Sequence, residues 1–515
     1  MSDTLLMRTL LIISLLYFVS GLLLLPSYQH QLNPDTISYI NIARRYIVLD
    51  FKNAIDPYWG PLFSWMLIPL MVVHIEPTIA VKITQLLIGF LAIVGVKLLI
   101  NQLRFRKHLQ IWCLLTVAPL ILYFAYSVGT PDLLGVTITL FYLSFVIDKN
   151  FFLGKKSGIF LGILGSLMYF SKSYFFFFFL LHFPLMSVLH LHGNRARKLK
   201  KSIATTVVYA FIAFSLLSGI WIIAVSMKLH TFSIGTAGEY NYRLVGPLSR
   251  GQPMHYQGFL SPPAGIATSA WDSPSDLILP SWNPFDYPLY QVFLLQKNLG
   301  LTVSYLQTFS SFSLGVLLLY FVLILSIYRR EHTFPSHLYI FITFMLSILS
   351  YIVIFPEERY LWFAFLLLVI MAAHIIQSAT DLPFFAFWHN VALLVFLAIS
   401  FTIMPTQHLF QGRDTGKDVY ELSQFLRQKD EISGNIASNS NWYTSLYLAF
   451  YFDSKYYGEK GEIPQDSIAD ALRANSIDYY FYWLNSGEKT DTTLNNYSDL
   501  YVELPFLRIY KVSKE

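Results

Sequence analysis

The chain has 515 residues, 55% of them hydrophobic and only 13% charged, with a mean hydropathy of +0.50. Soluble domains carry about 25% charge, so the composition excludes a single water-soluble globule and indicates a polytopic membrane protein. The net charge of +5 collects in a few loops and leaves no nucleic-acid footprint, and the single Cys113 excludes an intrachain disulfide framework or a cysteine-based metal site.

A span needs roughly 20 apolar residues, and about eleven runs qualify or nearly qualify. They are 5–25, 78–100, 109–127, 133–147, 157–171, 173–192, 203–227, 301–327, 335–354, 360–377 and 383–404. The first lacks a basic leading region and an Ala-x-Ala-like cleavage site, so it reads as a retained anchor. Basic residues orient the bundle. Arg104, Arg106 and Lys107 fall on one side with Lys149, Lys155 and Lys156, with Arg195, Arg197, Lys198, Lys200 and Lys201, and with Arg329 and Arg330. That side is cytoplasmic if the N-terminus is, and the parity then puts the C-terminus outside. The expected location is therefore integral to a membrane, with the C-terminal domain extracytoplasmic.

The first outer segment, 26–77, contains two expected interfacial helices. One covers 36–49, with apolar Ile37, Ile40, Ile42, Ala43, Ile47 and Val48 and polar residues between them. The other covers 61–75 and is short for a span. A second outer loop, 228–300, is rich in Pro, Gly, Ser and Trp, and its aromatic residues favour an ordered loop at the interface. Beyond Met404 the chain becomes charged. Helices are expected over 417–428 and 467–475, and strands over 434–438, 478–483 and 507–512, as a small α/β domain of residues 405–515 outside the membrane. Residues 1–404 form the membrane domain.

Ionisable residues at a membrane boundary are costly and mark function. Asp35 follows the first span, Asp132 opens the fourth, Lys172 lies between the fifth and sixth, and Glu357, Glu358, Arg359 and Tyr360 open the tenth. Each has a plainer reading: Asp35 as a helix N-cap, Asp132 as a helix start, Lys172 as a snorkelling side chain, and the two glutamates as first-turn acids. A guanidinium at an apolar boundary, however, wants a carboxylate or phosphate partner. Together these groups could hold a lipid phosphate on Lys172 and Arg359, while Asp35 takes a proton from an acceptor hydroxyl or helps hold a metal ion.

In order along the chain stand Asp35 followed by Tyr39 and Ala43, then Asp132, then Gly158, Gly162 and Gly165 leading to Lys172, and finally Glu358, Arg359 and Tyr360. With this set and topology the chain resembles the GT-C superfamily of integral-membrane glycosyltransferases. It is most similar to the bacterial members grouped with protein O-mannosyltransferases and the aminoarabinose transferases of lipid A. The resemblance implies transfer of a sugar from a polyprenyl-phosphate donor to a lipid, glycan or protein acceptor at the outer face. Asp35 and Asp132 are then the candidate catalytic residues. Tyr39, Lys172, Glu357, Glu358, Arg359 and Tyr360 are the candidate substrate-binding residues. Many relatives carry an Asp-Glu pair where Thr36 follows Asp35 here. The resemblance implies a divalent ion (Mg or Mn) on Asp35 as a candidate cofactor, but this departure weakens that reading and keeps a metal-independent mechanism open.

Two other readings stand beside this one: a transporter or lipid flippase, and an inactive relative serving as an assembly partner. Transporters place polar residues near the midplane, often in repeated halves, and no repeat is visible here. Wide separation of Asp35 from both Lys172 and Arg359 would exclude a single site. His182, His190 and His192 make no metal set by spacing, and His255 in the second outer loop could touch substrate. The sequon at Asn496, Tyr497 and Ser498 carries no weight in a chain of bacterial character.

Overall fold

A computed structural model describes residues 3–148, 153–192, 197–331, 336–380, 387–429, 432–484, 498–499 and 504–512. Lys149, Arg195, Asn496 and Tyr497 lie outside these. Each apolar run becomes a helix, because lipid offers the backbone no partners and helices satisfy them internally. Among the described residues, seven helices are long and apolar enough to cross a membrane: Met7–Tyr28, Pro77–Gln102, Lys107–Ser127, Tyr174–Leu191, Lys198–Leu229, Glu358–Ala379 and Trp388–Gln411. Three shorter ones, Asp132–Ile147, Lys155–Ser171 and Ser336–Val353, cover the remaining short runs.

The expected span 301–327 differs. It is a bent pair, Pro288–Thr308 and Ser313–Arg329, meeting at 98°. Ser310 causes the break: its Oγ accepts from Phe312 N at 3.3 Å and its carbonyl from Ser313 N at 3.1 Å. Such local bonds offer the chain an alternative to helix continuation. If Ser313–Arg329 crosses the bilayer, Pro288–Thr308 runs nearly in the membrane plane, with Leu289, Phe293 and Leu299 exposed.

Close helix contact is built from glycine. A methyl at Gly158 or Gly162 would overlap the Thr206 or Ala210 carbonyl of the helix Arg197–Leu229. These glycines let the helix that ends at Lys172 lie directly against its neighbour.

The first outer segment folds as helices Pro34–Ile47, Phe51–Ala54 and Pro61–Val72. The first is buried on nearly every face, including its polar one, because the second outer loop covers it. Asn41 Nδ2 donates to Thr268 Oγ1 and to Asp272 Oδ1, both at 2.9 Å, and Arg45 Nε donates to the Ile266 carbonyl at 2.6 Å. These bonds explain why polar residues alternate with apolar ones in a helix that meets protein on both sides.

The C-terminal part carries a mixed sheet of β1 (Asn435–Ser438), β2 (Lys455–Glu459), β3 (Tyr479–Trp483), β4 (Ser498–Asp499) and β5 (Leu507–Lys511), in the order β2-β1-β3-β5-β4. β1 pairs parallel with β2 and β3, while β5 runs antiparallel to β3 and β4. Helices Lys417–Lys429, Trp442–Tyr451 and Ile468–Ala474 pack with it. The second outer loop extends the β2 edge, where Tyr456 N donates to the Thr268 carbonyl at 2.6 Å and Leu260 N to the Tyr457 carbonyl at 2.7 Å. The loop thus ties the C-terminal sheet to the helix that carries Asp35.

Candidate active site

The helix bearing Asp35 begins two residues earlier than the sequence suggests, at Pro34 rather than Thr36. Asn33 is its cap, accepting from Thr36 N at 2.8 Å, and Pro34 takes the first turn. Asp35 is therefore not the cap, and its carboxylate is free for other partners. Oδ1 accepts from Trp271 Nε1 at 2.9 Å, and Oδ2 accepts from Arg359 Nη1 at 2.7 Å. The Gly129 loop joins this helix closely. Thr36 Oγ1 donates to the Gly129 carbonyl at 3.0 Å, and a methyl at Gly129 would strike the Thr36 side chain.

That contact delivers Asp132, whose side chain is only 4% exposed. Its Oδ1 accepts from Lys172 Nζ at 2.5 Å and its Oδ2 from Thr130 Oγ1 at 2.6 Å; Arg359 Nη1 lies 3.9 Å from Oδ2. Burial pulls the Lys172 ammonium below its usual value, and the Asp132 carboxylate opposes this. Arg359 Nε also donates to Glu357 Oε2 at 2.6 Å. Asp35, Arg359, Asp132 and Lys172 thus form one continuous charged chain, from four distant parts of the sequence, with Glu357 attached.

Tyr360 lies under both cations, with Lys172 Nζ 3.8 Å and the Arg359 guanidinium 5.3 Å from its ring centre. It stacks on Tyr351, which stacks in turn on Tyr174. Tyr39 is buried edge-on against Trp59 and Phe63. Burial first, then the Asp35 and Asp132 carboxylates, push its phenol far up, so it remains neutral. Glu358 separates from the others and accepts from Tyr123 OH at 3.0 Å.

The charged chain lines a cavity of about 780 Å³. Away from the charges its walls become apolar, with Phe177, Leu181, Leu349 and Val353 from helices Tyr174–His192 and Ser336–Val353. Those four side chains are also exposed on the outer surface of the bundle, Phe177 by 64%. The cavity therefore runs from the charges to the lipid-facing side. Asp35, Glu357 and Arg359 line a second cavity of about 550 Å³ as well.

No protein-family model matches the sequence, and no curated protein matches it by sequence. Solved structures do match. ArnT from Cupriavidus metallidurans, bound to undecaprenyl phosphate, aligns over 100% of this chain and 99% of its own at 11% identity and a TM-score of 0.59. The Archaeoglobus fulgidus oligosaccharyltransferase in its apo form aligns over 94% of this chain and 70% of its own, at 12% identity and a TM-score of 0.57. The same enzyme in complex with Zn and sulfate aligns over 92% and 68%, at 12% identity and a TM-score of 0.55.

The fold is GT-C-like.

A metal does not fit the residues of this site as they are paired here. Among the described residues, no group of three or more His, Cys, Asp or Glu could hold an ion. Both Asp35 oxygens already accept bonds, and two cations occupy the space around Asp35 and Asp132. His182 and His190 are engaged elsewhere: His182 bonds Tyr142 OH and Thr343 Oγ1 at 3.0 and 2.8 Å, and His190 the Val146 carbonyl at 2.7 Å, while the His192 side chain lies outside the described ones. His255 lines the second cavity.

Sequence reasoning left out Trp271, the second partner of Asp35, and Tyr351, the middle of the aromatic stack. A signal existed for Trp271. Ser269 and Asp272 have capping-box spacing, and both halves of that box form, fixing the turn that aims the indole.

Proposed function

We propose that the protein is a glycosyltransferase that moves a sugar from a polyprenyl-phosphate donor to an acceptor at the outer face of the membrane. The observation that carries this is the charged chain at the head of a cavity whose other end is apolar and reaches the lipid side. A prenyl tail belongs among Phe177, Leu181, Leu349 and Val353, which sets its phosphate beside Lys172 and Arg359. The N-terminus is cytoplasmic, residues 1–404 form the transferase unit, and residues 405–515 form an outward unit.

The chemistry follows from the partners. In the resting site Arg359 is held by Asp35 and Glu357. A donor phosphate competes for that guanidinium, and planar recognition of phosphate favours arginine. As Arg359 turns to the phosphate, Oδ2 of Asp35 is released to accept a proton. The acceptor oxygen bonds to the sugar's anomeric carbon while the bond from that carbon to the phosphate oxygen breaks. The acceptor proton goes to Asp35, and the bonding electrons leave with the polyprenyl phosphate. Lys172 and Arg359 stabilise the charge that develops there. Asp132 holds Lys172 in place. Attack from the side opposite the phosphate inverts the anomeric centre, and no step requires a metal.

The test is a panel of labelled polyprenyl-phosphate sugars offered to proteoliposomes holding the full chain. Release of polyprenyl phosphate from one donor class is expected. Transbilayer movement of the labelled lipids with no bond cleavage would replace this reading with a flippase.

A further inference from the structure

The two cavities share a partition. Asp35 and Arg359 line both, so the ion pair between them separates the lipid-side cavity from the second one. The second cavity is built differently. Tyr123, Tyr305 and Tyr443 present phenol rings, and Glu357, Glu358 and His255 supply polar groups. Six distant parts of the chain close it, including the start of the C-terminal helix Trp442–Tyr451. Glu459, at the end of β2, secures that edge: its Oε1 accepts from Trp442 N at 2.6 Å, and its Oε2 lies 3.5 Å from His255 Nδ1. Tyr443 is 53% exposed. Tyr443 and Asp35 line this same cavity, and burial, then the Asp35 carboxylate, raise the Tyr443 phenol above its ordinary value.

We infer that this second cavity is the acceptor site, that it takes a neutral sugar ring, and that the Trp442–Tyr451 helix start forms part of its wall. The inference rests on the glycosyl-transfer reading above and names the acceptor class for it. A pyranose presents an apolar C–H face that packs on an aromatic ring, and hydroxyls around its edge that donate to carboxylates. Both kinds of partner are present, within one cavity that contains Asp35. An anionic acceptor meets Glu357 and Glu358, while Arg359 is engaged by Asp35 and Glu357; like charges reject it. A peptide bound by strand addition needs a sheet edge, and none of the cavity's lining residues belongs to a strand. The hydroxyl of a bound sugar would approach Asp35 from the side opposite the donor phosphate, as an inverting displacement needs.

Saturation-transfer NMR on the full chain in detergent tests this, with neutral methyl glycosides and a neutral oligosaccharide as probes, beside a serine-containing peptide and a sugar phosphate. Undecaprenyl phosphate binding is measured on the same samples. The neutral glycans are expected to give signals that fall about tenfold in Tyr443→Ala, the scale of one lost aromatic contact. Glu358→Gln should weaken them, Tyr443→Phe should keep them because the ring remains, and Lys172→Ala should keep them while losing undecaprenyl phosphate. Glycan signals that are absent, or unchanged in Tyr443→Ala and Glu358→Gln, overturn the acceptor site while undecaprenyl phosphate still binds. Peptide signals in place of glycan signals overturn the acceptor class. A wild-type protein that binds neither probe set overturns the glycosyl-transfer reading as well.

Discussion

Lys172 and Asp132 should behave as one unit, and a double-mutant cycle measures that. The pair is short, at 2.5 Å, with Asp132 almost fully buried and Lys172 about three-quarters buried. Lys172→Met removes a cation that stabilises the leaving phosphate, and losing one such donor costs about 10²–10³ in kcat. Asp132→Asn keeps the shape but leaves the ammonium without its charged partner. A hydrogen bond between charged groups contributes about 1.5–3 kcal/mol, so this change alone should cost roughly 10- to 100-fold. Once Lys172 is gone, Asp132 has lost its direct charged hydrogen-bond partner, and Arg359 lies farther off at 3.9 Å. The double variant should therefore fall within about threefold of Lys172→Met, with a coupling of about 1.5–3 kcal/mol. The assay is initial-rate turnover of the active lipid-linked donor in proteoliposomes, at matched protein content. Additive losses, with the double variant at the product of the two single effects, would show that Asp132 acts independently of Lys172 and would refute the positioning role.

Other perturbations give distinct readouts. Trp271→Phe keeps the ring and removes the N–H that Asp35 accepts at 2.9 Å; kcat should drop about tenfold, the scale of one hydrogen bond to a charged group, with donor binding unchanged, and an unaltered kcat would sink the role given to Trp271. Chelation with EDTA should leave turnover intact, and loss restored by added Mg or Mn would contradict the metal-independent site. Asp56 is buried in the first outer segment with its acid pushed up to about 6, chiefly by desolvation and against the N–H bonds of Trp59 and Tyr58. Its native value lies above the unfolded one of about 3.9, so the native state holds the extra proton between the two. Stability from this group is then present at low pH and lost as pH rises through about 4 to 6. Asp56→Asn should flatten that part of the Tm profile, and a profile with the wild-type slope would count against it.

The legible parts of the sequence were those where one physical rule acts alone. Apolar runs marked the helices because lipid enforces them, and boundary charges marked Asp35, Asp132, Lys172 and Arg359 because ions there need partners. The structure brings all four together. What stayed hidden depended on long-range placement. The helix Trp442–Tyr451 was missed although Trp442, Ser445, Leu446 and Ala449 are buried at helical spacing, because its aromatic content also suits a strand. The strand Lys455–Glu459 was missed because its regularly alternating buried positions are Tyr456 and Gly458, which carry little hydropathy contrast, and its edge is completed by the distant outer loop. The break at Ser310 interrupts a run that hydropathy reads as continuous. Glu357 and Glu358 are neighbours in sequence, yet a 3₁₀ turn sends one to Arg359 and the other to Tyr123, which adjacency alone could not reveal.

The most direct test compares wild type with Asp35→Asn in proteoliposomes, following release of polyprenyl phosphate from the donor that the wild type consumes. Asparagine keeps the size and one acceptor oxygen but cannot take a proton. The variant is expected still to bind the donor and to lose at least about 10²-fold in kcat, the usual worth of a general base. Turnover by the variant at the wild-type rate would contradict the base role of Asp35 and with it the proposed mechanism.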